Sequence, residues 1–168
     1  ELKSLNMNFG KVSACHNFYP KPLTALSIDR VRAINERLHN YGITTIGFVP
    51  GDKERRGPLY RGLPTVEEHR DQELLLSALE LKSIGRCDII LVGDVDIKEE
   101  SWRVLKNLNE NYIELRADID EKYQYIKDII HHDRPDSSAY VIRSTESREY
   151  GSQGRLIEKE KPKPRVKG

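Results

Sequence analysis

The chain has 168 residues, enough for one ordinary domain, and with 37% hydrophobic and 33% charged residues it is polar for a globular protein. A formal net charge of +1 makes no general case for nucleic acid or an anionic membrane as partner. No apolar run approaches the roughly 20 residues of a membrane span, and no secretory h-region opens the sequence.

Residues 12–17 read as a first strand, ending in the polar cluster HNFYPKP. SIDRVRAINERLHNYG, residues 27–42, reads as a helix: Ser27 is the N-cap, Ile28, Val31, Ile34 and Leu38 recur at helical spacing, and Gly42 is the stop signal. ITTIGFVPGD, residues 43–52, is a second strand halted by Pro50 and Gly51. A polar loop over 53–64 leads to a helix that opens with a capping box, Thr65 as N-cap and Glu68 at N3. Leu74, Leu75, Ala78, Leu79 and Leu81 form that helix's buried stripe. CDIILVGD, residues 87–94, is a third strand; its continuous apolar run predicts a parallel strand covered on both faces. A helix over 98–109 holds Trp102, residues 111–119 alternate like a further strand, and 120–130 read as a short helix. The two cysteines, Cys15 and Cys87, lie in or beside these strands and read as buried, reduced thiols without zinc-type spacing.

Strands alternating with helices define an α/β protein with a parallel sheet and right-handed crossovers. Both an open doubly wound sheet and a closed (β/α)₈ barrel fit this order. The polar clusters follow the strand ends, where either architecture carries function. No glycine-rich nucleotide motif follows any strand, so no nucleotide cofactor is expected.

Each polar cluster admits a ligand reading beside a structural one. His16, Asn17 and Tyr19 are either turn residues stiffened by Pro20 and Pro22 or part of a site; Asn offers both donor and acceptor. Asp52, Arg55 and Arg56 lie between Gly51 and Gly57, where the backbone can fold close to a ligand, and Arg suits bidentate phosphate contact. Arg56 is favoured over Arg55. His69 and Arg70 fall in the predicted first turn of a helix, where an anionic partner would explain their charge. Asp94 closes the third strand, the position from which barrel enzymes present a catalytic carboxylate; as a turn residue it would only approach the next helix. No His or Cys cluster has metal-ligand spacing, so no metal is expected.

Three separated stretches, ACHNFYPKPLTALS, FVPGDKERRGPLYRGLPTVEEHR and HHDRPDSSAYVIRSTESR, resemble the MupG family of 6-phospho-N-acetylmuramidases over about residues 1–155. The resemblance implies a (β/α)₈ TIM-type barrel followed by a cyclophilin-like domain, with this chain supplying the last three βα units. The implied division is 1–110 for the barrel portion, 111–150 for a strand–helix extension and connector, and 151–168 for a basic linker toward a further domain. The five earlier strands and the C-terminal domain would lie outside this chain, which on its own is then expected to be inactive. The implied activity is cytoplasmic hydrolysis of the glycosidic bond between N-acetylmuramic acid 6-phosphate and N-acetylglucosamine in bacterial cell-wall recycling, with no cofactor. On this reading His16, Asn17, Tyr19, Arg56, His69 and Arg70 bind substrate, and Asp94 and Asp52 are the catalytic candidates. The alternatives are a non-catalytic carbohydrate-binding or outer surface protein on the same frame, and another barrel acting on sugar phosphates.

Overall fold

The computed structural model describes residues 11–115 and 117–148, which divide into two units at residue 115. In the first unit three strands, β1 (Ser13–Cys15), β2 (Thr44–Val49) and β3 (Ile89–Val92), form a parallel sheet in the order β1-β2-β3. Ser13 pairs with Thr44, and Ile46 pairs with Ile89, so the register runs unbroken across the sheet. Parallel neighbours need crossovers, and helices α1 (Ile28–His39) and α2 (Leu74–Ser83) supply them, with α3 (Glu99–Asn109) following β3.

Helix α1 starts and stops where its caps predict. The Ser27 hydroxyl accepts the Arg30 N–H, Asp29 favours the positive helix N-terminus, and Gly42 adopts φ +70 just beyond the end. Val31 turns into a core that Val49, Val66, Leu74, Ala78, Leu81, Cys87, Ile97 and Leu108 complete. Among the buried polar residues is Asn35, fully buried, which donates to the Gly85 carbonyl and whose Oδ1 accepts from His16 Nε2 at 2.7 Å. A buried amide needs such partners, and these join α1 to the end of β1 and the turn before β3.

The predicted capping box does not form. Thr65 is fully buried; its hydroxyl donates to the Asn17 carbonyl (3.0 Å) and accepts the Phe48 N–H (2.9 Å). Two strand ends therefore claim the oxygen that the box required. A short 3₁₀ helix, Glu67–Arg70, follows without a side-chain cap, and α2 begins only at Leu74.

Strand β3 is covered on one face, not two. Ile90 and Val92 pack on the core, whereas Ile89 and Leu91 are 41% and 42% exposed. Register places Cys15, Ile46 and Ile89 on that same open face, so Cys15 is exposed and only Cys87 is the buried thiol. Both helices preceding β3 lie against the other side of the sheet, and no described element of this unit covers the first.

The alternating segment 111–119, which runs across the division, forms no strand among its described residues; in the second unit Glu121–Asp128 is a 3₁₀ helix capped by Asp120. Arg134 N–H donates to Arg143 O and Thr145 N–H to His132 O around an antiparallel Asp133–Ser144 bridge. Arg134 pairs locally with Asp136. None of this unit's described residues is buried.

Candidate functional site

Because the strands are parallel, their C-terminal ends deliver three segments to one edge: 16–26 after β1, 50–66 after β2 and 93–98 after β3. Two polar knots hold them together. The first is Asp94, 5% exposed. Its Oδ2 accepts the N–H groups of Gly51 (2.7 Å) and Leu63 (3.1 Å), and its Oδ1 accepts that of Arg56 (2.9 Å). The carboxylate thus fastens the start, middle and end of the loop after β2. Close approach is what makes glycine necessary beside it: a Cβ on Gly93 would stand 2.3 Å from the Leu63 carbonyl oxygen. Gly62 supplies the left-handed turn, φ +80, that brings Leu63 back to the carboxylate.

The second knot is Glu67–Arg70. Arg70, 4% exposed, donates Nε and Nη2 to the Glu67 carboxylate at 2.7 and 2.9 Å. Its remaining donors reach the carbonyls of Gly62 and Arg61 in one loop and of Tyr19 and Lys21 in another. Glu67 in turn accepts the N–H groups of Leu23 and Ala25. The Arg70 guanidinium holds the Glu67 carboxyl far below its ordinary range, down to about 2; burial works against this, and the Leu23 and Ala25 amides add to it.

These contacts redistribute the predicted site. The Arg70 guanidinium, expected at the substrate, has its Nε, Nη1 and Nη2 donors engaged within the fold. His69, expected at the substrate, is fully buried, with Nε2 3.0 Å from Glu80 and Nδ1 without a hydrogen-bond partner among the described residues. Burial pushes its pKa below the ordinary histidine value, opposed by Glu80. His16, half-buried, has one ring nitrogen committed to Asn35. Asp52 caps the next helix from outside: Oδ1 accepts the Lys98 N–H (2.9 Å) and Oδ2 the Ser101 hydroxyl (2.7 Å). Burial raises its pKa, but the Ser101 and Lys98 hydrogen bonds outweigh that and leave it below the usual value.

Exposed at the same edge are Asn17, Lys21, Arg56 and Arg61, with Tyr19 and Arg55 half-buried and Tyr60 65% exposed. Neither Arg56 nor Arg61 has an ion-pair partner among the described residues. The Arg55 guanidinium lies 3.5 Å from the Arg70 carbonyl oxygen. The edge therefore offers unneutralised guanidinium groups on a loop whose backbone is fastened from below, beside an amide and a phenol. That arrangement suits an anionic, hydroxyl-bearing ligand. Sequence reasoning missed Arg61, Asn35 and the role of Glu67 and gave Thr65 a different role; only Glu67 left a local signal, the spacing of three to Arg70. Among the described residues no three His, Cys, Asp or Glu side chains are placed to hold a metal ion, and no helix is long and apolar enough to cross a membrane.

The parallel sheet, its helical crossovers and its loop-bearing edge define an α/β protein assembled from strand–helix units. Comparison with family models assigns it more narrowly: residues 1–107 match the N-terminal part of 6-phospho-N-acetylmuramidase and residues 110–168 the C-terminal part. The chain belongs to this family of glycoside hydrolases. The C-terminal match thus lies where the sequence reading expected a connector and linker. Two solved structures are similar. One, described as a conserved protein of unknown function from a locus in Enterococcus faecalis, is 33% identical with a TM-score of 0.68, over 86% of this chain and 41% of its own. The other, an uncharacterized B. cereus protein, is 30% identical with a TM-score of 0.77, over 95% of this chain and 48% of its own. The chain thus spans less than half the length of either. Comparison with curated proteins finds no match.

Proposed function

We propose that this chain forms the last three βα units of a (β/α)₈ barrel that cleaves the glycosidic bond between N-acetylmuramic acid 6-phosphate and N-acetylglucosamine. Family membership over residues 1–107 and 110–168 carries this reading. The barrel is supported by the open face of the sheet, where half-exposed Ile89 and Leu91 stand in the positions that a closed barrel fills with side chains. Further strands, supplied from outside the 168 residues, would complete it. The proposed division keeps 1–110 as barrel, 111–150 as an extension and 151–168 as a linker, within a cytoplasmic enzyme of cell-wall recycling.

In this reading Arg56, with Arg61 and Arg55 beside it, takes the 6-phosphate. Asn17 and Tyr19 meet the sugar, Asn17 through mixed donor and acceptor groups and Tyr19 through its ring. His16 supports them from the Asn35 side. Asp52 supports α3, and we assign it no proton transfer. The phosphate then serves as the handle that positions the scissile bond, since binding energy far from the reacting atoms can be used for orientation.

Arg56→Ala in the full chain tests this. A hydrogen bond to a charged group is worth about 1.5–3 kcal/mol, so KM for the phosphorylated disaccharide should rise ~10- to 100-fold with little change for the unphosphorylated one. An unchanged preference for the phosphorylated substrate would remove Arg56 from the site. A protein that bound the disaccharide without releasing N-acetylglucosamine would instead support the non-catalytic alternative.

A further inference from the structure

We propose that Asp94 is a positioning residue, which fixes the loop after β2 so that Arg56 meets the phosphate, and that it takes no part in proton transfer. The inference rests on the phosphate reading above. Its ground is the choice of partners. All three N–H groups that Asp94 accepts belong to backbone, and they come from Gly51, Arg56 and Leu63, thirteen residues of one loop drawn onto one carboxylate. Arg56 is itself one of the three, so its guanidinium hangs from a backbone point that Asp94 pins. Each oxygen already faces at least one N–H donor. Both oxygens are thus committed to the chain's own backbone, whereas a general acid or base needs an oxygen turned toward the substrate. The group is also 5% exposed and lies beneath the loop rather than on it.

Gly93 and Gly51 reinforce the arrangement. A Cβ on Gly51 would stand 2.7 Å from both the Asp94 Cβ and the Asp96 carbonyl oxygen, so the backbone approaches Asp94 as closely as it does only because no side chain intervenes. On the far side, Glu54 and Asp96 exchange backbone hydrogen bonds, Glu54 N–H to Asp96 O and Asp96 N–H to Glu54 O. The loop is thereby held along the β3 exit at several points. The side chains it presents outward are free to be specific because their backbone is not free to move.

The test is a double-mutant cycle in the full chain with Asp94→Asn and Arg56→Ala, read as the ratio of kcat/KM for phosphorylated over unphosphorylated disaccharide. Asparagine keeps the shape but turns an NH₂ toward an N–H. Asp94→Asn should lower the ratio about 10-fold through KM, and the double variant should be no worse than Arg56→Ala alone, because one residue acts through the other. Effects that add would overturn the inference, as would a loss of kcat of about 10²-fold or more on both substrates, the mark of an acid or base. If Arg56→Ala leaves the ratio intact, the phosphate reading itself has failed. If Arg56→Ala lowers it and a folded Asp94→Asn does not, only the role of Asp94 has failed. Should Asp94→Asn not fold, Gly51→Ala displaces the same carboxylate by its Cβ; a normal ratio in that variant also overturns the inference.

Discussion

Glu67→Gln is the sharpest probe of the knot that joins the first two loops. The Glu67 carboxyl titrates near 2 in the folded chain against an ordinary 4.5. At about 1.36 kcal/mol per pKa unit, that difference is worth at most ~3 kcal/mol. The side chain is 22% exposed, so solvent screening brings the expectation down to about 1–2 kcal/mol. Glutamine adds a second cost. It retains one acceptor oxygen where four N–H groups converge, from Leu23, Ala25 and two positions on Arg70, and it leaves a guanidinium that is 4% exposed without a counter-charge. Losing one member of such a pair costs about 3–5 kcal/mol when fully buried, so a total of roughly 2–4 kcal/mol is expected at pH 7.

The pH dependence identifies the cause. A carboxyl depressed by folding contributes stability that is present above its unfolded value and lost as pH falls through its folded value. The window here runs from 4.5 down to about 2. Urea unfolding of wild type and Glu67→Gln at pH 7, 5, 4 and 3 should show a gap that holds at pH 7 and 5 and narrows below. A gap under about 0.5 kcal/mol at pH 7, or one as wide at pH 3 as at pH 7, would refute the reasoning, because surface pairs of little consequence give values of that size.

Two further outcomes follow from packing. Gly93→Ala should lower the melting temperature, since its Cβ would meet the Leu63 carbonyl oxygen at 2.3 Å and backbone cannot give way cheaply; a cost of about 1–3 kcal/mol or more is expected, and an unchanged melt would contradict the placement of that loop. In the 168-residue chain Cys15 should alkylate readily and Cys87 only on unfolding, because burial lifts the Cys87 thiol to about 11, partly offset by Asn35. In the full chain, closure of the proposed barrel should slow Cys15 as well, and equal reactivity of Cys15 in both would count against closure.

The strand order and α1 were legible because their determinants are local. Ser27, Gly42 and the Ile28–Val31–Leu38 stripe act within one helix, and their reading needs no knowledge of the rest. The start of α2 was not legible for the opposite reason. Thr65 looked like a cap because capping is the commonest use of such a hydroxyl near Glu68, yet the Asn17 carbonyl and the Phe48 N–H, 48 and 17 residues away, reached it first. Residues 111–119 alternate as a strand would, but a strand exists by its ladder, and the described part of that segment has none. The two-sided burial expected of β3 is not met within this unit: an apolar run states what a residue tolerates, while burial of Ile89 and Leu91 needs an element packed on them, and none of the unit's described residues provides one.

The site was half legible, and the division has a chemical cause. Asp accepts from hydroxyls, and Arg donates to phosphates, with the same hydrogen bonds that they use to tie down loop backbone. Sequence can therefore locate the edge at which such residues gather without sorting ligand groups from fasteners. Burial sorts them: Arg70 at 4% and Asp94 at 5% face carbonyls and amides of the chain, whereas Arg56 is exposed. The partners sort them too. Glu67 lies three residues before Arg70 and neutralises it, while Arg56 is left without an ion pair among the described residues. A binding edge needs both kinds. An unneutralised cation on a slack loop would be as costly to order around a phosphate as it is attractive to it; on the proposed reading, the backbone contacts of Asp94 and Arg70 would remove that cost before a ligand arrives.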